Sequence, residues 1–389
     1  NIDYLSIVSK MLKKISHRGP DLIGQIINKK KGIIFGHNRL TIQDLTDAGS
    51  QPMNSFSKRY LITFNGEIYN HLELREELNQ ISDNKINWSS SSDTCTLVNC
   101  FEFWSVNEVL KKIRGMFAFA LFDKKLNKIY IARDRFGEKP LFYYYKNNQF
   151  FFSSELKSFK IDHFYNEINS KSFGSFFKFG YIPEPNTIYK DIFKLEKGNL
   201  IELTLLEDDL KCSKIEYFNL INHLKQNKKN KQNNSNLEAE LTSAINRMHL
   251  SDVPLGVFLS SGIDSSLLLA ISSIKLGKKV DSFTLGYEFE GYNETEQASK
   301  IAKHLGSNHE KILMSKKDIS DCIFNINSVF DEPFSDHSAI STLYLSQIAK
   351  SEIKVALSGD GSDEQFYGYR RYKKANNIYK LTNFFNENI

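Results

Sequence analysis

The sequence predicts an α+β first half built on packed antiparallel sheets and an α/β second half built on a doubly wound parallel sheet. The first prediction rests on short strand-like runs, separated by turn residues, between Gly32 and Leu205. The second rests on strands and helices that alternate from Leu255 onward. A polar stretch at residues 207–236 indicates a linker, so we expect one domain at 1–206 and another at 237–389.

The strands of the first half are predicted from runs of apolar and aromatic residues bounded by turn formers. Two segments among them, His71–Gln80 and Thr94–Trp104, predict helices. In chain order the strand-like runs are GIIFGHNRLTI, YLITFNGEIY, MFAFALFD, KIYIARD, LFYYY and QFFFSSE.

In the second half, predicted strands alternate with predicted helices. A helix is predicted over Glu294–Leu305, and the strand-like runs are LGVFLS, DSFTLGY, HEKILM and IKVALS. Strands joined by helices lie parallel, and ligands bind such sheets beyond the carboxyl ends of the strands. The turns that follow these strands are therefore the first places to look for a site.

Composition limits the class of protein. The chain has 389 residues, of which 41% are hydrophobic and 25% charged, as in ordinary globular domains. Its net charge is +5, and the most basic stretch, KQNKKNKQNN, lacks aromatic residues and indicates a solvated linker, so we expect no nucleic-acid partner. No run of eighteen apolar residues predicts a membrane span. The four cysteines contain no CxxC pair, which favours a reducing, cytoplasmic setting over disulfides or zinc.

Two turns of the second half carry unusual numbers of hydroxyls and acids. In LGVFLSSGIDSSL (Leu255–Leu267) the turn before a predicted helix has four serines, a glycine and an aspartate. One N-cap residue would start a helix, whereas amides and hydroxyls together make a phosphate cradle. A second loop, LSGDGSDE (Leu357–Glu364), follows the last strand. Both loops at one sheet edge favour a single site, with acids for Mg²⁺ and amides for phosphates. Neither GxxxxGK[ST] nor a GxGxxG after a strand is present.

These motifs resemble a known family. SSGIDSS is similar to the SGGxDS pyrophosphate loop of ATP pyrophosphatases, and together with LSGDGSDE and DEPFSDHSAISTLYLS it resembles the synthetase domain of glutamine-dependent asparagine synthetases. The first half resembles the class II glutaminase domain fused to such synthetases. The resemblance implies an N-terminal Ntn-hydrolase-like αββα sandwich and a C-terminal ATP-pyrophosphatase (adenine nucleotide alpha hydrolase-like) domain. It is carried in the first half by SHRGPD, GHNRLTIQDLTDAGSQPM, FNGEIYN, SSSSDT, GMFAFALFD and ARDRFGEKPLFYY.

Two departures from the family pattern stand out. The family's nucleophile is an N-terminal cysteine whose own α-amine serves as base, whereas this chain begins at Asn1, and the family's synthetase domain continues beyond residue 389. We therefore expect the chain to be part of a longer enzyme. Cys95 and Cys100 cannot replace the nucleophile because neither has a free α-amine. Both are predicted to be core or helix residues.

In the glutaminase half, the resemblance implies that the Asn65 side chain and the Gly66 amide stabilise the tetrahedral oxyanion. It implies that Arg39 binds the α-carboxylate of glutamine and that Glu67 and Asp93 bind its amino group. Each residue also has a simpler interpretation. Asn-Gly is typical of a type I′ hairpin turn, an arginine is often a surface residue, and Asp93 could be a helix N-cap.

In the synthetase half, the resemblance implies that ATP activates a carboxylate by adenylation. Asp264 and Asp363 are the predicted Mg²⁺ ligands. Asp360 is the predicted acid/base or orienting group for ammonia attack, although its side chain is shorter than the glutamate of many relatives. The remaining ATP contacts are predicted at Ser260, Gly262, Ser265 and Ser266 for pyrophosphate, Leu285 for adenine, and Ser358 and Gly359 for the ribose and α-phosphate.

Three functions are compatible with the sequence. The first is asparagine synthesis from aspartate, glutamine and ATP. The second is the same chemistry on another carboxylate, such as a uronic acid in surface-polysaccharide assembly. The third is a degenerate, non-catalytic nucleotide-binding protein, which the acids at both loops disfavour. Asp331, Glu332 and Asp336 could bind the ammonium of an aspartate acceptor. A homodimer is a candidate assembly.

Overall fold

The computed structural model describes residues 3–164, 166–207, 209–227, 236–289 and 293–386. The chain divides into two compact units. The first contains Asn1–Asn234 together with Phe324–Ser338, and the second contains Ser235–Ile323 and Ala339–Ile389.

The first unit combines antiparallel sheets with helices. Its strands are β1 (Leu22–Asn28), β2 (Ile33–Arg39), β3 (Met53–Asn54), β4 (Tyr60–Ile68), β5 (Gly115–Asp123), β6 (Lys128–Arg133), β7 (Phe142–Lys146), β8 (Gln149–Ser153), β9 (Ile192–Lys194), β10 (Asn199–Leu205) and β11 (Leu210–Glu216). Its helices are α1 (Tyr4–Lys14), α2 (His71–Ile81), α3 (Asp93–Phe103), α4 (Val106–Lys112), α5 (Ser170–Phe179) and α6 (Leu220–Asn227). A six-stranded sheet has the order β11-β10-β6-β5-β4-β3, β1 pairs with β2, and a three-stranded sheet has the order β8-β7-β9.

Strand β5 shows why these residues form layers. Its sequence GMFAFALFD is apolar almost throughout, because successive side chains point to opposite faces and both faces are buried. Phe117, Phe119 and Leu121 join the core under α3, while Ala118, Ala120 and Phe122 join a second core shared with β2 and β8. A third core packs Ile7 and Met11 of α1 against β8 and β9. The resulting order of helices, sheet, sheet and helices confirms the αββα sandwich.

The second unit confirms the doubly wound parallel sheet. The elements that lie wholly or mainly in it are α7 (Leu237–Met248), β12 (Leu255–Phe258), α8 (Ile263–Ala270), β13 (Asp281–Tyr287), α9 (Thr295–His304), β14 (Asn308–Met314), α10 (Lys316–Val329), α11 (Ser338–Ala349), β15 (Val355–Leu357), α12 (Ser362–Phe366) and α13 (Arg370–Asn386). All strand pairs are parallel, in the order β14-β13-β12-β15. Helices α7 to α9 pack with Val257, whereas α11 packs with its neighbour Phe258, so helices cover both faces.

Part of the range predicted as a linker is regular structure. Strand β11 lies within residues 207–236 and pairs with β10 through seven residue pairs. Its sequence LKCSKIE is mostly exposed, as is usual for an edge strand, and therefore lacks the apolar run that predicted the other strands. Residues 208 and 228–235, which include most of the basic stretch, lie outside the described residues.

The sequence predicted neither a membrane-spanning segment nor disulfide bonds. No helix among the described residues is long and apolar enough to cross a membrane. All four cysteines are described and are free thiols, and three of them are buried.

Candidate functional site

A cavity of about 1080 Å³ lies within the first unit. Five residues predicted for glutamine binding line its polar part: Arg39, Asn65, Gly66, Glu67 and Asp93. They come from β2, β4 and the first turn of α3, so the fold brings together residues that are up to 54 positions apart (93 − 39). The structure therefore places all five around one space.

The edge of β4 that faces away from β5 explains the position of the Gly66 amide. Strand β3 covers only the start of this edge, where Met53 pairs with Ile62. Further along β4, side chains accept the hydrogen bonds that a neighbouring strand would otherwise accept. The Phe64 N–H donates to Gln51 Oε1 at 2.7 Å, and the Ile68 N–H donates to Asp93 Oδ2 at 2.8 Å. Residues two apart in a strand direct their amides to the same edge. The Gly66 N–H therefore points to this edge, between two bonded amides, and can donate to a ligand in the cavity.

Asn65 and Gly66 are consecutive residues inside β4, so the alternative interpretation as a hairpin turn is wrong. Antiparallel pairing with β5 continues through both positions. A Cβ on Gly66 would lie 2.2 Å from the carbonyl oxygen of Met116, so only glycine allows this approach of the strands. The Asn65 side-chain amide donates to Ser154 Oγ at 3.3 Å and has a second N–H for a ligand.

Asp93 does not cap α3. Ser92 is the N-cap, and its hydroxyl accepts the Cys95 N–H, while the Asp93 carboxylate turns back towards β4. Glu67 lies beside it and accepts a hydrogen bond from Gln43 Nε2 at 2.7 Å. Burial raises the pKa of both carboxyls, and the charge of Asp93 raises the pKa of Glu67 further. Two buried carboxylates with raised pKa values are suited to receive a cation, such as the ammonium of an amino acid.

The guanidinium of Arg39 is buried and partly engaged. It donates to the carbonyl oxygens of Thr46, at 2.7 Å, and Asp44. These bonds use two of the five guanidinium N–H groups, and the side chain still lines the cavity. Lys139 is a second cation in the cavity wall, and burial lowers its pKa.

Sequence patterns did not single out four cavity residues: His37, Gln51, Thr94 and Lys139. His37 Nε2 donates to the Phe64 carbonyl oxygen at 3.2 Å. Burial, reinforced by Arg39, lowers the pKa of His37 to about 4 although the bond to Phe64 opposes this, so the ring is neutral at physiological pH. The motifs GHNRLTIQDLTDAGSQPM and SSSSDT contained the first three residues, but no local pattern distinguished them from their neighbours.

In the second unit, the loop between β12 and α8 is organised by its own serines. Ser265 Oγ accepts the Ser260 N–H at 3.0 Å and contacts Ser260 Oγ at 2.8 Å, and Ser260 Oγ accepts the Gly262 N–H at 3.1 Å. Gly262 is the N-cap of α8, with no side-chain capping bond, so the serines do not serve as ordinary caps. Ser266 Oγ donates to the Gly262 carbonyl at 2.7 Å. The loop is pre-shaped, as a phosphate-binding turn requires.

The two acidic loops lie together, as expected from the parallel sheet. Strands β12 and β15 are neighbours, so their carboxyl ends are adjacent. A Cβ on Gly359 would lie 3.0 Å from the Ser265 amide nitrogen and 3.1 Å from Asp264 Cβ. Glycine at this position therefore lets the last loop touch the first. In the last loop, Ser358 Oγ donates to Asp360 Oδ2 at 2.9 Å.

The remaining predicted residues lie at the same edge. Leu285 is near the carboxyl end of β13, which adjoins β12. Asp363 is in the first turn of α12, directly after β15. Among the described residues no cluster of three or more His, Cys, Asp or Glu could hold a metal by itself. A cation here would need ligand atoms from a bound substrate, which is how Mg²⁺ is usually held with phosphates.

The raised pKa of Glu67 predicts a pH-dependent gain of stability in Glu67→Gln. A carboxyl whose pKa is raised on folding stabilises the fold below its unfolded pKa, and this contribution is lost as pH rises through the folded pKa. Glu67→Gln should therefore raise the thermal midpoint more at pH 8 than at pH 5. The expected difference is roughly 2–4 °C, the shift that about 1 kcal/mol causes in a unit of this size.

Thermal unfolding of both proteins at the two pH values measures the effect. The exposed Glu76→Gln is the control, because Glu76 lies on α2 with its side chain in solvent. An equal midpoint shift at pH 5 and pH 8 would show that the pKa of Glu67 is not raised.

The chain matches known proteins along almost its whole length. Residues 2–215 match the family model described as a glutamine amidotransferase domain, and residues 236–384 match the model described as asparagine synthase. The chain is 34% identical over 372 residues to asparagine synthetase [glutamine-hydrolyzing] 1 of Bacillus subtilis, covering 96% of this chain and 57% of that protein.

Two further relatives give the same result. A putative asparagine synthetase [glutamine-hydrolyzing] 2 of Methanocaldococcus jannaschii is 34% identical over 384 residues, covering 93% of this chain and 72% of that protein. Asparagine synthetase B of Escherichia coli is 28% identical over 390 residues, covering 96% and 63%. The chain thus spans 57–72% of the length of these relatives. On this evidence the chain belongs to the family of glutamine-hydrolysing asparagine synthetases.

Proposed function

We propose that the protein containing this chain converts aspartate to asparagine, using ammonia released from glutamine and the cleavage of ATP to AMP and pyrophosphate. The observation that carries the proposal is the presence, in one chain, of two kinds of site. Amide donors suited to an oxyanion and buried carboxylates suited to an ammonium lie along β4, and two acidic, hydroxyl-rich loops meet at the carboxyl edge of a parallel sheet. The relatives from Bacillus subtilis and Methanocaldococcus jannaschii, which are named as asparagine synthetases, support the same reaction.

In the glutaminase half, which we assign to residues 1–206, a thiolate attacks the carboxamide carbon of glutamine. The Asn65 amide and the Gly66 N–H stabilise the resulting oxyanion, while Asp93 and Glu67 hold the substrate ammonium. The C–N bond then breaks, the leaving nitrogen takes a proton and departs as ammonia, and water hydrolyses the thioester to glutamate. Cys95 and Cys100 do not supply the thiolate, because both are buried in α3 and burial raises the pKa of Cys100.

In the synthetase half, which we assign to residues 237–389, a carboxylate oxygen of the acceptor attacks the α-phosphorus of ATP. The bond to pyrophosphate breaks, and an acyl-adenylate forms. The loop Ser260–Ser266 receives the pyrophosphate on its amides and hydroxyls, and Ser358 and Gly359 lie where the α-phosphate and ribose would be held. Leu285 borders the place for adenine. Ammonia then attacks the acyl carbon, AMP leaves, and Asp360 takes the proton that the nitrogen loses.

Asp264 and Asp363 are the residues that would hold Mg²⁺. Both are acids on loops at the same sheet edge, and Mg²⁺ commonly uses one or two carboxylates together with phosphate oxygens. The bound ion would neutralise charge on the phosphates of ATP. The free thiols of the chain support a reducing compartment, and we place the protein in the cytoplasm as part of this proposal.

The three acids considered for the acceptor's ammonium already have hydrogen-bond or ion-pair partners in the structure. Asp331 accepts the Lys157 N–H at 2.9 Å, and Glu332 pairs with Lys194 Nζ at 2.6 Å and accepts the Ile188 N–H at 2.7 Å. Asp336 accepts hydrogen bonds from Ser338. All three carboxylates therefore have structural partners within the first unit. We propose aspartate as the acceptor from the family relationship, without assigning its ammonium to these acids.

Asp264→Asn and Asp363→Asn should each abolish pyrophosphate formation in the complete protein while glutamate release from glutamine continues. Each substitution removes a carboxylate that would hold the Mg²⁺ needed to neutralise the phosphates, and neither residue is among those lining the glutaminase cavity. Asp281→Asn is the matched control, since Asp281 lies at the opposite, amino end of β13. If glutaminase and pyrophosphate formation fell together in the two variants, the assignment of separate roles would be wrong.

The acceptor can be identified with ammonia in place of glutamine. We expect the complete protein to form AMP from ATP and Mg²⁺ in the presence of aspartate and ammonia, and to form little with nucleotide-linked uronic acids. The measurement is AMP release across a panel of carboxylic acids. Turnover with a uronic acid and none with aspartate would show that the acceptor is a uronic acid, while the amidation chemistry would still hold. Binding of ATP without AMP release for any acid would favour a non-catalytic protein.

A further inference from the structure

We propose that Gln51 is a positioning residue of the glutaminase. Its side chain binds the Phe64 amide and, through Thr94, is linked to Asp93, which binds the Ile68 amide. These bonds fix the direction of the Gly66 amide between them and connect it to Asp93, the carboxylate that receives the substrate ammonium. The inference rests on the proposed function, because it assigns a task within the same reaction. The three side chains form a buried relay, which we call the Gln51 relay.

The orientation of the Gln51 amide follows from its partners. Its Oε1 accepts the Phe64 N–H at 2.7 Å, and its Nε2 donates to Thr94 Oγ1 at 3.2 Å. A backbone N–H can only donate, so the oxygen of the side chain must face Phe64 and the NH₂ group must face Thr94. All of these atoms are buried, and a reversed amide would leave two donors facing each other.

The Thr94 hydroxyl also has a defined orientation. Because Thr94 Oγ1 accepts from Gln51, its hydrogen is available to donate to Asp93 Oδ1, which lies 3.4 Å away. Asp93 Oδ2 accepts the Ile68 N–H at 2.8 Å. Both oxygens of Asp93 thus act as acceptors, and these bonds oppose the rise in the pKa of Asp93 that burial causes. The relay has one direction, from the Phe64 amide to the Asp93 carboxylate.

The relay encloses the oxyanion donor. Phe64 and Ile68 are the residues two positions before and two positions after Gly66, and their amides share one edge of β4 with the Gly66 amide. The Phe64 carbonyl is also fixed, by His37 Nε2 at 3.2 Å. Side chains therefore do here what a neighbouring strand would do. The Gly66 N–H cannot turn away from the cavity unless one of its anchored neighbours moves.

This arrangement predicts a kinetic effect that simple loss of packing would not produce. An oxyanion donor acts on the transition state, so its misplacement lowers kcat, whereas ground-state binding of glutamine depends on the carboxylates and cations and leaves KM little changed. Gln51→Met keeps the length and apolar volume of the side chain but removes both hydrogen bonds. Thr94→Val removes the link between Gln51 and Asp93 at nearly constant volume.

The test measures glutamate release from glutamine by the complete protein. Gln51→Met should lower kcat roughly tenfold or more, short of the about 100- to 1000-fold loss when an oxyanion donor is removed outright. KM and ammonia-dependent AMP formation should stay close to those of the unsubstituted protein. Gln51→Glu, whose carboxyl still accepts from Phe64, should recover part of kcat. The Gln51→Met and Thr94→Val effects should be non-additive, because both break one relay.

Asn99→Leu is the matched control. Asn99 is a buried amide of the same unit whose Oδ1 accepts the Phe56 N–H at 2.8 Å, but it does not line the cavity. If Gln51→Met and Asn99→Leu had the same kcat, the proposed role of the Gln51 relay would be wrong. If the unsubstituted protein released no glutamate, the proposed function would fail instead. Hydrogen exchange would then test the relay alone: Gln51→Met should speed exchange at the Phe64 amide, and unchanged exchange would overturn it.

Discussion

Strand β4 has a partner on one side along its whole length and on the other side only at its start. Beyond Ile62 its second edge must be satisfied by side chains, since an unpaired buried amide is costly. Gln51, His37 and Asp93 meet this requirement at Phe64 and Ile68, and they leave the Gly66 amide directed at the cavity. The proposed oxyanion site thus follows from a strand edge that no neighbouring strand covers and that side chains from three other segments complete.

The second unit obtains its site from a different constraint. Parallel strands connected by helices all end at one edge, so the loops that follow β12 and β15 must meet once these strands pair. Glycine at position 359 permits the contact, because any side chain would press against Asp264 and Ser265. Ser260, Ser265 and Ser266 of the first loop are bonded to one another or to the loop backbone, and Ser261 donates from its amide and hydroxyl to Glu294. Its shape is therefore set before a ligand arrives, which reduces the ordering cost of binding.

The sequence was informative where one property decided the structure. Apolar and aromatic runs located β4, β5 and β13 within a residue or two, because burial on both faces requires such runs. It was less informative where tertiary contacts override local preference. Asn65–Gly66 is typical of a turn but lies within a ladder, and β11 is a polar edge strand that resembles a linker. Gln51 acts on residues 13 and 43 positions away, a relation that no local pattern contains.

In the proposed reaction, nitrogen from the glutamine carboxamide ends in an amide whose formation consumes ATP. This transfer is tested most directly by giving the complete protein amide-¹⁵N-glutamine, aspartate, ATP and Mg²⁺, and following the label by mass spectrometry. We expect ¹⁵N in the side-chain amide of asparagine, with AMP and pyrophosphate formed in equal amounts. Release of the label only as free ammonia, or cleavage of ATP to ADP and phosphate, would contradict the proposed reaction.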